Sequence, residues 1–361
     1  MVEAMIVELK LVKESPMGVS EVETIYFGGG TPSLLKTEAL QKLLTTVYEI
    51  YKLSKNVEIT LEANPDDINE FSLAEWKAIG INRFSIGVQS FKQDDLVWMN
   101  RAHNAEQALR CIPLVKNAGF QNFSVDLIYG TPTLSDTDWK KNVQLIIDNN
   151  VPHVSCYALT VEPNTALQKL ITLNKKEDVD PEKQASQFAL LTDWLQDAGY
   201  EHYEISNFAK PGYRSKHNSS YWQNKTYIGI GPSAHSFNGI SRRWNVSNNS
   251  LYLQSLIKNI IPYEEEVLSD VQKLNEYIMT SLRTLEGIDL NNVKEKFGEE
   301  NGIKLKERSL KYIENHKVAL IVISKEKERI ILTKEGKLFA DGIAADLFFE
   351  EKINTVPDTV S

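Results

Sequence analysis

The sequence predicts an α/β protein whose main part is built on parallel strands, followed by a smaller helical module. Three observations predict it. Short β-rich runs alternate with amphipathic helical stretches at roughly 25–40 residues per unit, as in right-handed βαβ crossovers. Glycines and polar residues collect at or just after the ends of those runs, where α/β folds build their sites. Near Tyr263 the composition shifts to a charged, helix-rich end.

The chain opens in a helical pattern, with Met5, Ile6, Leu9 and Val12 on one face. Residues 24–27 are a β-rich run ending in Gly28-Gly29-Gly30-Thr31-Pro32, and a helix is expected over 37–51 with Leu40, Leu43, Leu44 and Val47 on one face. Residues 57–62 form the second strand, stopped by Asn64-Pro65; 72–79 reads as a helix with Ser72 and Glu75 as a capping box. The third strand is 83–88. A helix over 105–118, closed by Gly119, precedes the fourth strand, 122–128, which leads into Tyr129-Gly130-Thr131-Pro132. A helix over 137–149 leads to the fifth strand, 153–157, and one over 181–198 to an expected sixth strand, 203–206. Residues 211–250, rich in Asn, Ser, Gly and aromatics, read as ordered loop around a short strand at 227–230. A (β/α) barrel and an open doubly wound sheet both satisfy this order.

Glu264-Glu265-Glu266 opens the charged end. Helices are expected over 270–285, 290–297 and 305–314, then β-like runs at 318–324 and 329–332 around a charged turn, 325–328, and a closing helix over 334–348. Three helices and a hairpin make a winged-helix-like domain of 263–361 and leave 1–262 as the first domain.

Composition narrows the function. Among 361 residues, hydrophobic types make up 42%, which excludes a wholly disordered chain. Forty Lys and Arg against forty-nine Asp and Glu give a net charge of −9, so no nucleic-acid partner is expected. The first residues lack the basic start and apolar block of a secretory signal, and no run approaches the ~18 apolar residues of a membrane span. A cytoplasmic protein without a membrane span is expected. The two cysteines, Cys111 and Cys156, exclude a disulfide framework and an all-cysteine metal or iron–sulfur site within this one chain.

The candidate site residues lie mostly at strand ends. The triple glycine reads as a backbone-exposing ligand loop or as a tight strand-to-helix turn; it is neither a P-loop nor a G-x-G-x-x-G turn. Glu62 could accept the hydroxyls of a ribose, or be a solvated strand-end charge. Asp126 stands inside an apolar strand and needs a partner, for which Arg83 and Arg101 are candidates. Gln89 adds an uncharged donor and acceptor. His217-Asn218-x-x-Tyr221-Trp222 reads as a heme-ligating histidine beside aromatic rings, or as a packed aromatic loop. Both cysteines read as buried structural residues.

Several strings in order go further: Tyr26-Phe27-Gly28-Gly29-Gly30-Thr31-Pro32-Ser33, Glu62-Ala63-Asn64-Pro65, Arg83 to Phe91, Arg101-Ala102-His103, Asp126 to Pro132, Tyr203 to Ala209 and the His217–Trp222 motif. Together they closely resemble the radical S-adenosylmethionine (SAM) proteins related to oxygen-independent coproporphyrinogen III oxidase, over residues 21 to the C-terminus. The 203–222 stretch looks like the heme-chaperone branch rather than the oxidase branch. The resemblance implies a partial (β/α)6 barrel with a C-terminal winged-helix-like domain. It gives Gly29, Gly30 and Thr31 to the amino-acid moiety of SAM, Glu62 to its ribose, and Gln89, Arg101 and Asp126 to a second SAM position. It gives His217, Asn218, Tyr221 and Trp222 to heme.

The family's cluster motif, C-x-x-x-C-x-x-C after the first barrel strand, has no counterpart here. A chain lacking that strand and loop, truncated by roughly 20–45 residues from the usual sizes of such parts, is therefore expected. The implied cofactors are SAM and heme, with a 4Fe-4S cluster expected for the family but without its ligands here. The implied function is a heme chaperone handing heme to an acceptor protein; the alternative is an oxidase-like radical SAM enzyme, with no catalytic residue and no metal ligand assigned. A homodimer is compatible with either.

Overall fold

The computed structural model describes residues 1–14, 21–324 and 327–351. In chain order the elements are α1 (Val2–Lys13), β1 (Val22–Phe27), α2 (Thr37–Ile50), β2 (Leu53–Ala63), α3 (Glu70–Ala78), β3 (Arg83–Gln89), α4 (Gln93–Trp98), α5 (Ala105–Asn117), β4 (Phe123–Tyr129), α6 (Asp136–Asp148), β5 (His153–Ala158), α7 (Ala166–Thr172), α8 (Pro181–Asp197), β6 (Glu201–Glu204), β7 (Asn207–Ala209) and α9 (Lys216–Trp222). There follow β8 (His235–Phe237), β9 (Ser241–Asn245), α10 (Asn249–Ile257), β10 (Tyr263–Val267), α11 (Asp270–Leu282), β11 (Ile288–Asp289), α12 (Leu290–Phe297), α13 (Glu299–Glu314), β12 (Val318–Ser324), β13 (Lys327–Leu332), α14 (Lys334–Lys337) and α15 (Ala340–Leu347). They fall into two compact units. The first comprises Met1–Ser220, Tyr227–His235 and Asn245–Tyr263; the second comprises Tyr221–Thr226, Ser236–Trp244 and the chain from Glu264 onward.

The first unit is organised by a seven-stranded sheet in the order β1-β2-β3-β4-β5-β7-β6. Strands β1 to β5 are parallel and in sequence order. An order without a reversal, wound by right-handed crossovers, puts the connecting helices on one face, as in a barrel and unlike a doubly wound sheet. Ile59, Leu61, Phe84, Ile86, Val125 and Val154 point to that face and are buried in one core with Leu40, Trp76 and Trp139 from the helices. Helix α1 joins a smaller core through Leu9, with Leu43 and Tyr51. Its Glu8 is 1% exposed and accepts from Gly231 N at 2.8 Å, Asn245 Nδ2 at 2.6 Å and the Tyr252 hydroxyl.

Four sequence expectations change. The sixth strand is not the single parallel run 203–206. Short β7 intervenes, antiparallel to both β5 and β6, because the chain reverses between Glu204 and Asn207. Residues 227–230 are not a strand, and a helix, α9, occupies 216–222. The cap of α3 is Asn69, whose side chain accepts from Phe71 N and Ser72 N while Ser72 Oγ accepts from Asn69 N; Glu75 instead accepts from Thr37 Oγ1 at 2.7 Å. The closing helix is broken into α14 and α15.

In the second unit β11, β13 and β12 form an antiparallel sheet, with Ile288 opposite Ile330 and Val318 opposite Leu332. Leu274, Ile278, Val293, Leu305, Ile330 and Ile343 are buried there. Of the expected charged turn, Lys325 and Glu326 lie outside the described residues. Among the described residues no helix is long and apolar enough to cross a membrane.

Candidate functional site

Successive strand residues point to opposite faces, so the face away from the helices can be read from the register. Thr24 lies opposite Glu58, Tyr26 opposite Thr60, and Thr60 opposite Arg83. Glu62 lies opposite Ser85, Ser85 opposite Ser124, Ser124 opposite His153 and Asp126 opposite Ser155. A parallel sheet covered on both faces is apolar on both. This one is polar on its second face, and buried polar groups there must bind each other or a ligand.

Asp126 is met by hydroxyls rather than by an arginine. Ser85 Oγ donates to its Oδ2 at 3.0 Å and Ser124 Oγ to its Oδ1 at 3.1 Å. Burial raises its carboxyl above the ordinary value, opposed by hydrogen bonds from Ser155, Ser85 and Ser124. The expected partners are engaged elsewhere. Arg83 faces Glu58 at 3.9 Å, and Arg101 Nη2 donates to Asn64 Oδ1 at 2.9 Å and to Gly87 O at 3.4 Å. Ser124 Oγ also lies 2.8 Å from His153 Nδ1, whose Nε2 lies 2.8 Å from the Tyr203 hydroxyl. A buried hydrogen-bonded chain thus runs Tyr203–His153–Ser124–Asp126. Burial holds His153 well below the ordinary histidine value, so its imidazole is neutral.

The glycine loop stands at the end of β1. Gly29 and Gly30 adopt φ of 79° and 63°, with open space where a Cβ would stand, so their backbone is bared as a ligand loop requires. Glu62 accepts from Gly29 N at 3.2 Å and from the Tyr26 hydroxyl at 2.7 Å. Burial, then the charge of Glu62, raises the Tyr26 hydroxyl, which stays protonated and donates. Thr31 leads into a short 3₁₀ turn, Pro32–Leu34. Gln89 sits at a break in the β3–β4 register with φ 65°, and its amide approaches Gly87 beside Arg101. Gln89, Arg101 and Asn64 therefore gather where β2 and β3 end.

His217 is tied to the polar face from three sides. Its Nδ1 lies 2.9 Å from Thr24 Oγ1, its ring stacks on Tyr26 at 4.5 Å and 16°, and its backbone N donates to Glu58 Oε1 at 3.1 Å. Lys216 N donates to the other Glu58 oxygen at 3.3 Å, so a strand carboxylate caps α9. Burial, then the charge of Arg83, lowers His217 to about 4, so the imidazole is neutral at pH 7. In the tautomer protonated on Nδ1 it donates to Thr24 Oγ1. Asn218 belongs to the same unit; Tyr221 and Trp222 belong to the second, where Trp222 lies under the Arg283 guanidinium at 5.6 Å.

Sequence reasoning missed Thr24, Tyr26, Glu58, Ser85, Ser124 and His153 as site residues. The readable signal was the period-two polar pattern in Val57-Glu58-Ile59-Thr60-Leu61-Glu62 and His153-Val154-Ser155-Cys156-Tyr157. The cysteines do not fit an iron–sulfur cluster. Cys111 lies in α5 and Cys156 in β5, both buried in the apolar core. Burial pushes the Cys111 thiol up to about 12 and Cys156 well above its ordinary value, whereas cluster ligands are grouped thiolates.

Comparison with known proteins adds a family. Residues 9–146 match the model of the Radical SAM superfamily. The heme chaperone HemW of Bacillus subtilis is 35% identical over 286 residues, covering 78% of this chain and 75% of the relative. HemW of Mycobacterium tuberculosis is 32% identical over 328 residues, covering 90% and 80%. Among solved structures, coproporphyrinogen III oxidase of Escherichia coli superposes with a TM-score of 0.78 at 20% identity, over 95% of this chain and 82% of the oxidase.

Proposed function

The chain belongs to the HemW family of heme chaperones within the radical SAM superfamily, and from that membership we propose that it binds heme and passes it to an acceptor protein in the cytoplasm. The observation that carries the site is His217: a neutral imidazole, oriented by Thr24, stacked on Tyr26 and anchored through its backbone by Glu58. A heme iron meets such an imidazole without first displacing a proton from it. Asn218, Tyr221 and Trp222 complete the sequence motif.

We assign the amino-acid moiety of SAM to Gly29, Gly30 and Thr31, of which the two glycines bare their backbone, and its ribose hydroxyls to Glu62. Gln89, Arg101 and Asp126 supply the polar groups of a second adenosyl position. In radical SAM chemistry SAM supplies an adenosyl radical when an iron–sulfur cluster reduces it. Cys111 and Cys156 do not fit that cluster, so no radical step is assigned to these residues. The oxidase shares the fold, and at 20% identity the likeness carries the fold alone.

Hemin titration followed by the Soret band tests the assignment. Wild-type protein gives a saturable shift, and His217→Ala loses it. An unchanged band in His217→Ala overturns His217 as the ligand.

A further inference from the structure

Tyr26 stands between two groups that the chaperone reading gives to different ligands. Its hydroxyl donates to Glu62 Oε1 at 2.7 Å, and its ring stacks on His217 with centroids 4.5 Å apart. Thr24, two residues earlier on the same face of β1, holds the imidazole at 2.9 Å. Gly28, two residues later, leaves room for the hydroxyl bond: a Cβ there would lie 2.6 Å from Tyr26 Cε1 and 2.9 Å from Glu62 Oε1. Thr24 and Tyr26 on one strand face and Gly28 just past the strand's end thus serve one arrangement. The first orients the imidazole, the second stacks on it while tethered to Glu62, and the third clears space for the tether.

A phenylalanine would supply the stacking alone; the tyrosine adds the tether, and Gly28 the clearance that the tether needs. A stacked pair is sensitive to ring offset and tilt, and here the offset is set by a charge-assisted bond at the far end of the ring. We propose that Tyr26 is a positioning residue shared by both sites, coupling the state of Glu62 to the grip of His217 on heme. The proposal rests on the assignment of His217 to heme. The effector class at Glu62 is a vicinal diol, as in a nucleoside ribose. A diol that engages Glu62 alters the tether, so heme affinity responds, and by linkage heme alters diol affinity by the same factor.

The test is a double-mutant cycle read by hemin titration, with thermal midpoints checking that each variant folds. Tyr26→Phe keeps the ring and removes the tether; Glu62→Ala removes its other end. Each is expected to weaken hemin binding by about fivefold, the scale of a typical net hydrogen bond, and the double variant by no more than either single one. Tyr26→Leu, which removes the ring itself, is expected to weaken binding further and to move the Soret maximum. Independent losses that multiply in the double variant overturn the coupling. So does wild-type affinity in both single variants while His217→Ala loses the Soret shift. An unchanged Soret band in His217→Ala refutes the heme assignment instead, and the coupling falls with it, so the two failures are read from different variants.

Discussion

Acidification from pH 7.5 to 5.0 should destabilise the protein through His217, and the structure sets the size of the effect. Burial and the neighbouring Arg83 charge hold this imidazole at about 4, against an ordinary value of 6.5. The folded state therefore binds its proton less readily than the unfolded state. The stability due to His217 is fully present above pH 6.5 and is lost as pH falls from there through 4. A gap of that size is worth about 3 kcal/mol in full, of which about 2 kcal/mol is gone at pH 5. His103 and His153 are also buried with lowered values and pull the same way. The measurement is accordingly a difference: urea midpoints at both pH values for wild type and for His217→Gln, which cannot titrate but can still hydrogen-bond Thr24. The variant should start less stable and lose about 2 kcal/mol less on acidification. Equal losses in the two proteins would show that His217 is solvated in the native state and refute the placement of this imidazole against the sheet.

Three further outcomes follow from the packing. Glu8→Ala removes the common acceptor of Gly231 N, Asn245 Nδ2 and the Tyr252 hydroxyl and should cost about 3–5 kcal/mol by denaturant titration, with Glu8→Gln intermediate. Gly28→Ala presses a methyl onto the Tyr26–Glu62 contact and should cost about 1–3 kcal/mol, read as a drop in thermal midpoint. Cys111 and Cys156 should stay unreactive toward a disulfide reagent in native protein and react together on unfolding; a fast native phase would place a thiol at the surface.

The parallel core was legible because each strand carries an apolar face and each helix an apolar stripe, and both periods survive in a single sequence. What failed depended on contacts distant in the chain. Helix α9 has seven residues and is capped by Glu58, 158 positions before Lys216, so no local signal announces it. The reversal between β6 and β7 is too short to show a pattern. Glu62 and the glycines stand out in the sequence because strand ends are where α/β folds build their sites. Tyr26 and Thr24 were passed over because strand interiors read as core. Asp126 was recognised as an anomaly, but its partners are serines on three strands, a cradle that only the register reveals.

The polar face is a costly way to build a sheet, and that cost is itself an argument for a site. Arg83 is 1% exposed, yet its Nε and Nη2 have no hydrogen-bond partner, and its nearest carboxylate, Glu58, is 3.9 Å away and already accepts from two backbone N–H groups. A buried pair so loosely made is seldom more stabilising than apolar residues of similar volume. Purely structural selection would have filled these positions as it filled the opposite face, with Ile, Leu, Val and Phe. What the pair provides instead is placement. Glu58 fixes the start of α9 and with it the backbone of His217, while the Arg83 charge adds to burial in holding that imidazole neutral. Replacing Arg83 by leucine leaves Glu58 buried without its cation, so it should cost stability at pH 7.5 while letting His217 titrate closer to its ordinary value. A His217 titration unmoved by Arg83→Leu would return the pair to the category of packing.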